Sequence, residues 1–151
     1  MPALDDAAAR DLLVGARVAR LATIRASDGT PRLVPITFAL VDGLVVSAVD
    51  RVKPKRHTRL ARLRDIDADP RVGLLADHYD DDWSRLWWVR LDATATVHDP
   101  GDRSEHSDRP ADLHERAVDA LAEKYPPYRD ERPDGAVLVL HPVRWTGWSA
   151  A

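Results

Sequence analysis

The sequence predicts a mainly β domain with flanking helices (α+β), folded as a small antiparallel barrel. Short apolar runs alternate with polar residues at a period of two, and Asp-Gly turns join the early ones. Three helical patterns are interspersed among six or seven such runs without the one-for-one alternation of a parallel βαβ sheet. No Gly-rich phosphate loop and no Gly-x-Gly-x-x-Gly is present, which argues against a dinucleotide-binding α/β fold.

The elements follow in order. Ala8, Ala9, Leu12, Leu13 and Ala16 recur at helical spacing, and Asp5 or Asp6 can cap that helix. Val18 to Ile24 is an apolar strand closed by the turn Ser27-Asp28-Gly29-Thr30. Leu33 to Leu40 answers it as one alternating strand, and Val41-Asp42-Gly43 turns into a third strand, Leu44 to Val49. These three are expected to form a meander. A basic segment, Arg51-Val-Lys53-Pro-Lys55-Arg56, then leads into a helix from about Thr58 to Asp67, stopped by Asp69-Pro70. Val72 to Ala76 is a fourth strand. The polar loop Asp80 to Arg85 precedes a long fifth strand, Leu86 to Val97. After a charged loop, Pro110 opens a helix carrying Leu113, Ala117 and Leu121, and Tyr125-Pro126-Pro127-Tyr128 stops it. Two short strands, Val137 to Leu140 and Val143 to Trp148, are expected on either side of His141-Pro142.

Composition narrows the function. At 151 residues, 44% hydrophobic and 31% charged, the chain suits one globular domain spanning 1–151. A net charge of -3 and few Phe and Tyr speak against nucleic acid as a partner. The absence of cysteine removes disulfides, thiolate metal sites and thiol nucleophiles. With no basic-then-apolar start and no membrane-length apolar run, a cytoplasmic location is expected, with no membrane partner. None of the serines lies in a Gly-x-Ser-x-Gly setting, so a serine hydrolase is not indicated. The six histidines are scattered singly, and Asp80-Asp81-Asp82 lacks the ligand spacing of a calcium loop, so no metal site is expected.

Two signals remain. The chain has only three lysines, and two of them, Lys53 and Lys55, lie beside Arg51 and Arg56 at a strand-to-helix junction. Backbone N–H groups and the positive end of a helix favour anions at such a junction. Five tryptophans are present, three of them in Trp83-Ser-Arg-Leu-Trp87-Trp88. Adjacent strand residues point to opposite faces, so one of Trp87 and Trp88 can enter the core while the other meets a second subunit or a planar ligand. A flat ring with an anionic tail accounts for both signals.

Several stretches carry a resemblance: Val18-Ala-Arg-Leu-Ala-Thr-Ile24 with Pro31-Arg-Leu-Val-Pro-Ile-Thr-Phe38, Val52-Lys-Pro-Lys55 before Leu60-Ala-Arg-Leu63, Asp69-Pro-Arg-Val-Gly-Leu-Leu75, and Asp77 through Arg90. Together they resemble the FMN-binding split β-barrel superfamily, that of pyridoxamine 5′-phosphate oxidase. Within it the chain is similar to the actinobacterial branch of coenzyme F-420 (deazaflavin)-dependent oxidoreductases. The resemblance implies a homodimer with a cofactor in a groove at the subunit interface, the cofactor being F-420 or, alternatively, FMN. It implies tail or phosphate contacts from Lys53, Lys55, Arg56 and Thr58, and a ring-facing wall of Pro35, Ile36, Thr37, Ser47, Ala48 and Val49. It also implies contacts from the interface side by Trp87, Trp88, Arg90 and Trp145. The implied activity is hydride transfer to or from a small electron-poor organic substrate, with no catalytic side chain assigned. An FMN-dependent oxidase or reductase, and a carrier of flavin, F-420 or haem without turnover, are the alternatives.

Overall fold

A computed structural model describes residues 3–49, 60–101 and 113–151. Helix α1 (Asp6–Gly15) begins where the Asp5 carboxylate accepts from the Ala8 N–H at 2.8 Å, satisfying one of the first turn's open donors. Strands β1 (Ala19–Ile24), β2 (Pro31–Ile36), β3 (Ala39–Val41) and β4 (Leu44–Ala48) follow. Then come α2 (Ala61–Ala68), β5 (Arg71–His78), β6 (Trp87–His98), α3 (Leu113–Lys124), α4 (Pro127–Asp130) and β7 (Val137–Ser149).

All strand pairings are antiparallel, in the order β2-β1-β5-β6-β7-β4-β3. The two edge strands, β2 and β3, are separated in the chain only by Thr37 and Phe38. Three peptide links span at most about 11 Å, so the sheet must curl until its edges nearly meet. This corrects two expectations. Leu33 to Leu40 is not one strand: its first half pairs with β1, and its second half pairs with β4. Nor do the early strands form a meander, since β4 lies between β7 and β3, away from β1. The break has a local cause. Phe38 is fully buried, and its N–H donates to the Tyr125 hydroxyl at 3.2 Å instead of to a neighbouring strand.

The last strand also differs from expectation. Val137–Ser149 is continuous through His141-Pro142, because a register shift opposite Asp92/Ala93 leaves Val143 as an extra residue. A bulge is where a sheet tolerates proline's missing N–H, and Val143 is accordingly 70% exposed. Smaller departures are the single-turn α4, where only a helix stop was expected, and a 3-10 turn at Trp83–Arg85 capped by Asp82.

Two apolar cores result. The barrel interior holds Leu21, Phe38, Val45, Leu74, Val89, Leu91, Leu138 and Leu140, joined by Ala9 and Leu13 of α1 and by Leu63 and Ile66 of α2. The second core lies outside the barrel, where Ala117, Val118 and Leu121 of α3 cover Val46, Val137 and Val139. The outer surface of β2, β1, β5 and β6 has no helix packed on it among the described elements. No helix is long and apolar enough to cross a membrane.

Candidate functional site

The seam where the sheet closes carries a groove. Pro35 and Ile36 at the end of β2, and Thr37 beyond it, face Ser47 and Ala48 at the end of β4. Val18 and Arg62, the latter from the first turn of α2, complete a cavity of about 190 Å³. The seam is held by hydrogen bonds. Ser47, 2% exposed, donates from its hydroxyl to the Thr37 carbonyl at 2.7 Å, and the Thr37 and Tyr128 hydroxyls are 2.7 Å apart. Across that hydroxyl pair lies a larger, more polar cavity of about 580 Å³, lined by Val49, Tyr128, Glu131 and Arg132 among others.

Lys53, Lys55, Arg56 and Thr58 lie outside the described residues. The flanks of their segment are placed: Val49 lines the larger cavity, and Leu60 immediately precedes α2, two residues before Arg62. The structure therefore gathers Pro35, Ile36, Thr37, Ser47 and Ala48 around one cavity, with Val49 on the adjoining one. The tryptophans and Arg90 are elsewhere. Trp87 and Trp145 pack against the barrel interior, with the Arg10 guanidinium 5.7 Å from the Trp145 ring centre. Trp88 and Arg90 line a third cavity on the outer sheet face.

Arg62 belongs to the groove, and Tyr128 to the cavity adjoining it, without having been expected there. Arg62 had no signal in the sequence: an expected helix start near Thr58 puts it past the first turn, whereas α2 begins at Ala61. Tyr128 had none either, because its approach to Thr37 depends on how α3 and α4 pack across the seam.

The groove's supports are well fixed. Asp65 of α2 is 2% exposed and accepts from the Arg32 side chain at 2.7 Å, the Thr23 hydroxyl at 2.8 Å and the Ala26 N–H at 3.1 Å. Burial pushes its carboxyl up, but the Arg32, Ala26 and Thr23 hydrogen bonds together outweigh that and hold it below the ordinary value. This network ties α2, and hence Arg62, to the β1–β2 hairpin. On the other flank the Tyr125 hydroxyl donates to the Arg17 carbonyl at 2.9 Å while accepting from Phe38, and burial pushes its pKa up. Among the described residues no cluster of three or more His, Cys, Asp or Glu could hold a metal ion.

An antiparallel sheet curled until its edge strands nearly meet, with helices on one outer face, defines a split-barrel fold. The family profile described as Pyridoxamine 5′-phosphate oxidase matches residues 5–149, and the chain belongs to that family. Solved structures share the fold. A FAD-binding protein from Mesorhizobium loti is 19% identical, with a TM-score of 0.67 over 97% of this chain and 93% of that one. A conserved hypothetical protein from Mycobacterium tuberculosis is 22% identical, with a TM-score of 0.70 over 97% and 86%. The haem storage protein HutZ from Vibrio cholerae is 13% identical, with a TM-score of 0.66 over 95% and 93%. No curated protein matches the sequence.

Proposed function

We propose that the seam groove holds a flavin-type cofactor, and that this cofactor is coenzyme F-420 serving hydride transfer to or from a small electron-poor organic substrate. The observation that carries the reading is the composition of the groove. Pro35, Ile36 and Ala48 offer an apolar wall for a flat ring, Thr37 offers a hydroxyl at its edge, and Arg62 offers a guanidinium for an anionic tail. These residues suit the face of a planar ring and the start of an anionic tail; the cavity of about 190 Å³ holds only part of such a cofactor, and the rest would extend beyond it. The basic segment joining Val49 to Leu60 supplies Lys53, Lys55 and Arg56 to the same tail, with Thr58 beside them. When bound, the cofactor supplies the hydride chemistry.

The chain's own residues bind and orient. The apolar wall excludes water from one ring face. Ser47 holds the Thr37 carbonyl through its hydroxyl, and the Thr37 hydroxyl pairs with that of Tyr128 between the two cavities. Trp88 and Arg90 line a separate cavity, so in this reading they reach a cofactor only from a second copy of the chain in a homodimer.

Fluorescence titration of cofactor-free protein with F-420 and FMN in parallel tests the reading. Selective F-420 binding at micromolar or lower concentration supports it. Selective FMN binding moves the protein to the flavin branch, in line with the fold shared with a FAD-binding protein. Binding of neither refutes it. A strictly monomeric species in light scattering removes the role given to Trp88 and Arg90.

A further inference from the structure

The cavity of about 580 Å³ meets the seam groove at the Thr37–Tyr128 hydroxyl pair, 2.7 Å apart. Most of its wall is one short stretch of chain. Helix α4 closes after a single turn, with the Glu131 N–H donating to the Pro127 carbonyl at 3.0 Å. The chain is tied back to the sheet where the Val49 N–H donates to the Ala136 carbonyl, also at 3.0 Å. Tyr128, Pro133 and Val49 give the cavity apolar surface, and proline's fixed φ stiffens the wall. The Tyr128 ring is set edge-to-face against Tyr125, with ring centres 5.7 Å apart.

Among the described residues, the two adjoining cavities differ in the sign of their charge. Arg62 is the one charged residue lining the groove. The larger cavity has Glu131, Arg132 and Asp134. The Arg132 guanidinium is engaged by Asp119 of α3, so these four residues set three carboxylates against one guanidinium, a net charge of -2. Arg129, the next cation along the chain, donates instead to the Ala122 and Glu123 carbonyls at 2.9 and 2.6 Å. The Glu131 carboxylate has no partner among the described residues. The cations of the basic segment serve the cofactor tail in the reading above. A carboxylate beside an aromatic ring and proline surface is a setting for an organic cation.

We propose that this cavity is the substrate chamber of the seam cofactor and takes a small planar organic cation of the pyridinium or cyclic iminium class, its ring against Tyr128 and its charge on Glu131. The inference rests on the reading of the seam groove given above. Hydride added to a ring carbon of such a cation brings one hydrogen and two electrons, so the product is neutral and takes no proton from the protein. The reduced cofactor that gives up the hydride is left oxidised and returns one proton to water.

Calorimetric titration with the cation 1-methylnicotinamide and its neutral isostere 3-methylbenzamide tests the proposal, on the cofactor-free protein and on its F-420 complex. The cation should bind saturably to both, and the neutral compound about tenfold or more weakly, as expected for loss of a charge-assisted contact. Glu131→Gln should erase that preference. Asp130→Asn, which removes a neighbouring carboxylate that does not line the cavity, should leave it intact. Both side chains are exposed, so neither change should disturb folding. Equal affinity for the two compounds, a preference that survives Glu131→Gln or is lost equally in Asp130→Asn, or no saturation by about 1 mM cation would each overturn the proposal while F-420 binding, and with it the reading of the groove, still stood. Displacement of the cation by F-420 would overturn it too, by assigning the cavity to the cofactor. If neither F-420 nor FMN binds while the cation still binds through Glu131, the reading of the groove fails and takes the substrate role with it.

Discussion

The Lys124 ammonium nitrogen lies 3.8 Å from the centre of the Phe38 ring and has no hydrogen-bond partner among the described residues. Lys124 closes α3, where a cation suits the helix dipole, and Phe38 is the residue at which the second strand breaks. The contact therefore pins α3 to the barrel's seam. Burial, with the Arg17 charge nearby, lowers the Lys124 pKa from 10.5 to about 8.

That shift sets a pH dependence. The unfolded chain keeps its proton to a higher pH than the fold does, so between about pH 8 and 10.5 unfolding takes up protons and stability rises with pH. Below pH 8 both states are protonated, and the cost of the buried ammonium is fully present. In urea unfolding, wild type should gain stability relative to Lys124→Met as pH rises from 7.5 to 10. Other groups cancel in that difference, and a constant offset between the two proteins would refute the assignment.

Asp65 makes the opposite case. Its folded pKa is lowered, so its contribution is present above the unfolded value near 4 and is lost as pH falls through the folded value. Asp65→Asn removes the charge facing Arg32 and should cost about 3 kcal/mol at pH 7, the size seen when one partner of a buried pair is removed. The penalty should shrink on acidification. Denaturant midpoints at pH 7 and pH 3 measure both effects.

Much of the strand content was legible, because β1, β5 and β6 carry apolar alternation over six or more residues. What was not legible is partner choice. Alternation from Leu33 to Leu40 runs unbroken past Thr37, yet the chain changes partners there, and only the buried Phe38 N–H and Tyr125 hydroxyl mark the point. Pro142 was read as a break because proline lacks an N–H, but the bulge at Val143 absorbs it. The expected ring wall was drawn from resemblance, and five of its six residues line one cavity. Arg62 joins it, and Tyr128 joins the adjoining cavity, through packing between distant segments, which no local pattern records.

Gly147 is where the N-terminal segment closes on β7. Leu4 donates its N–H to the Gly147 carbonyl at 3.0 Å, and a Cβ on Gly147 would lie 3.1 Å from the Leu4 Cδ1 and 3.4 Å from the Ala9 Cβ. Gly147→Val forces α1 outward and should cost about 1–3 kcal/mol, as overpacking of a filled core does. Thermal melts check this, with Gly73→Val as a same-chemistry control on the open outer face. Equal melting temperatures for the two variants would show that α1 accommodates the side chain.

Arg62 gives the seam groove its own test. The guanidinium lines the cavity from a helix anchored by Asp65. Arg62→Ala should weaken binding of an anionic F-420 or FMN about tenfold, the loss of one charge-assisted hydrogen bond. The affinity should also become less sensitive to salt, since one ionic contact is gone. Lys53 and Lys55 replaced together by alanine should act on the same tail, and combining them with Arg62→Ala gives a cycle. If all three cations hold one phosphate, the combined loss falls short of or exceeds the sum, because neighbours in one network do not add. Strict additivity would place Arg62 and the lysines on separate parts of the ligand, and an unchanged affinity in Arg62→Ala would take the arginine out of the site.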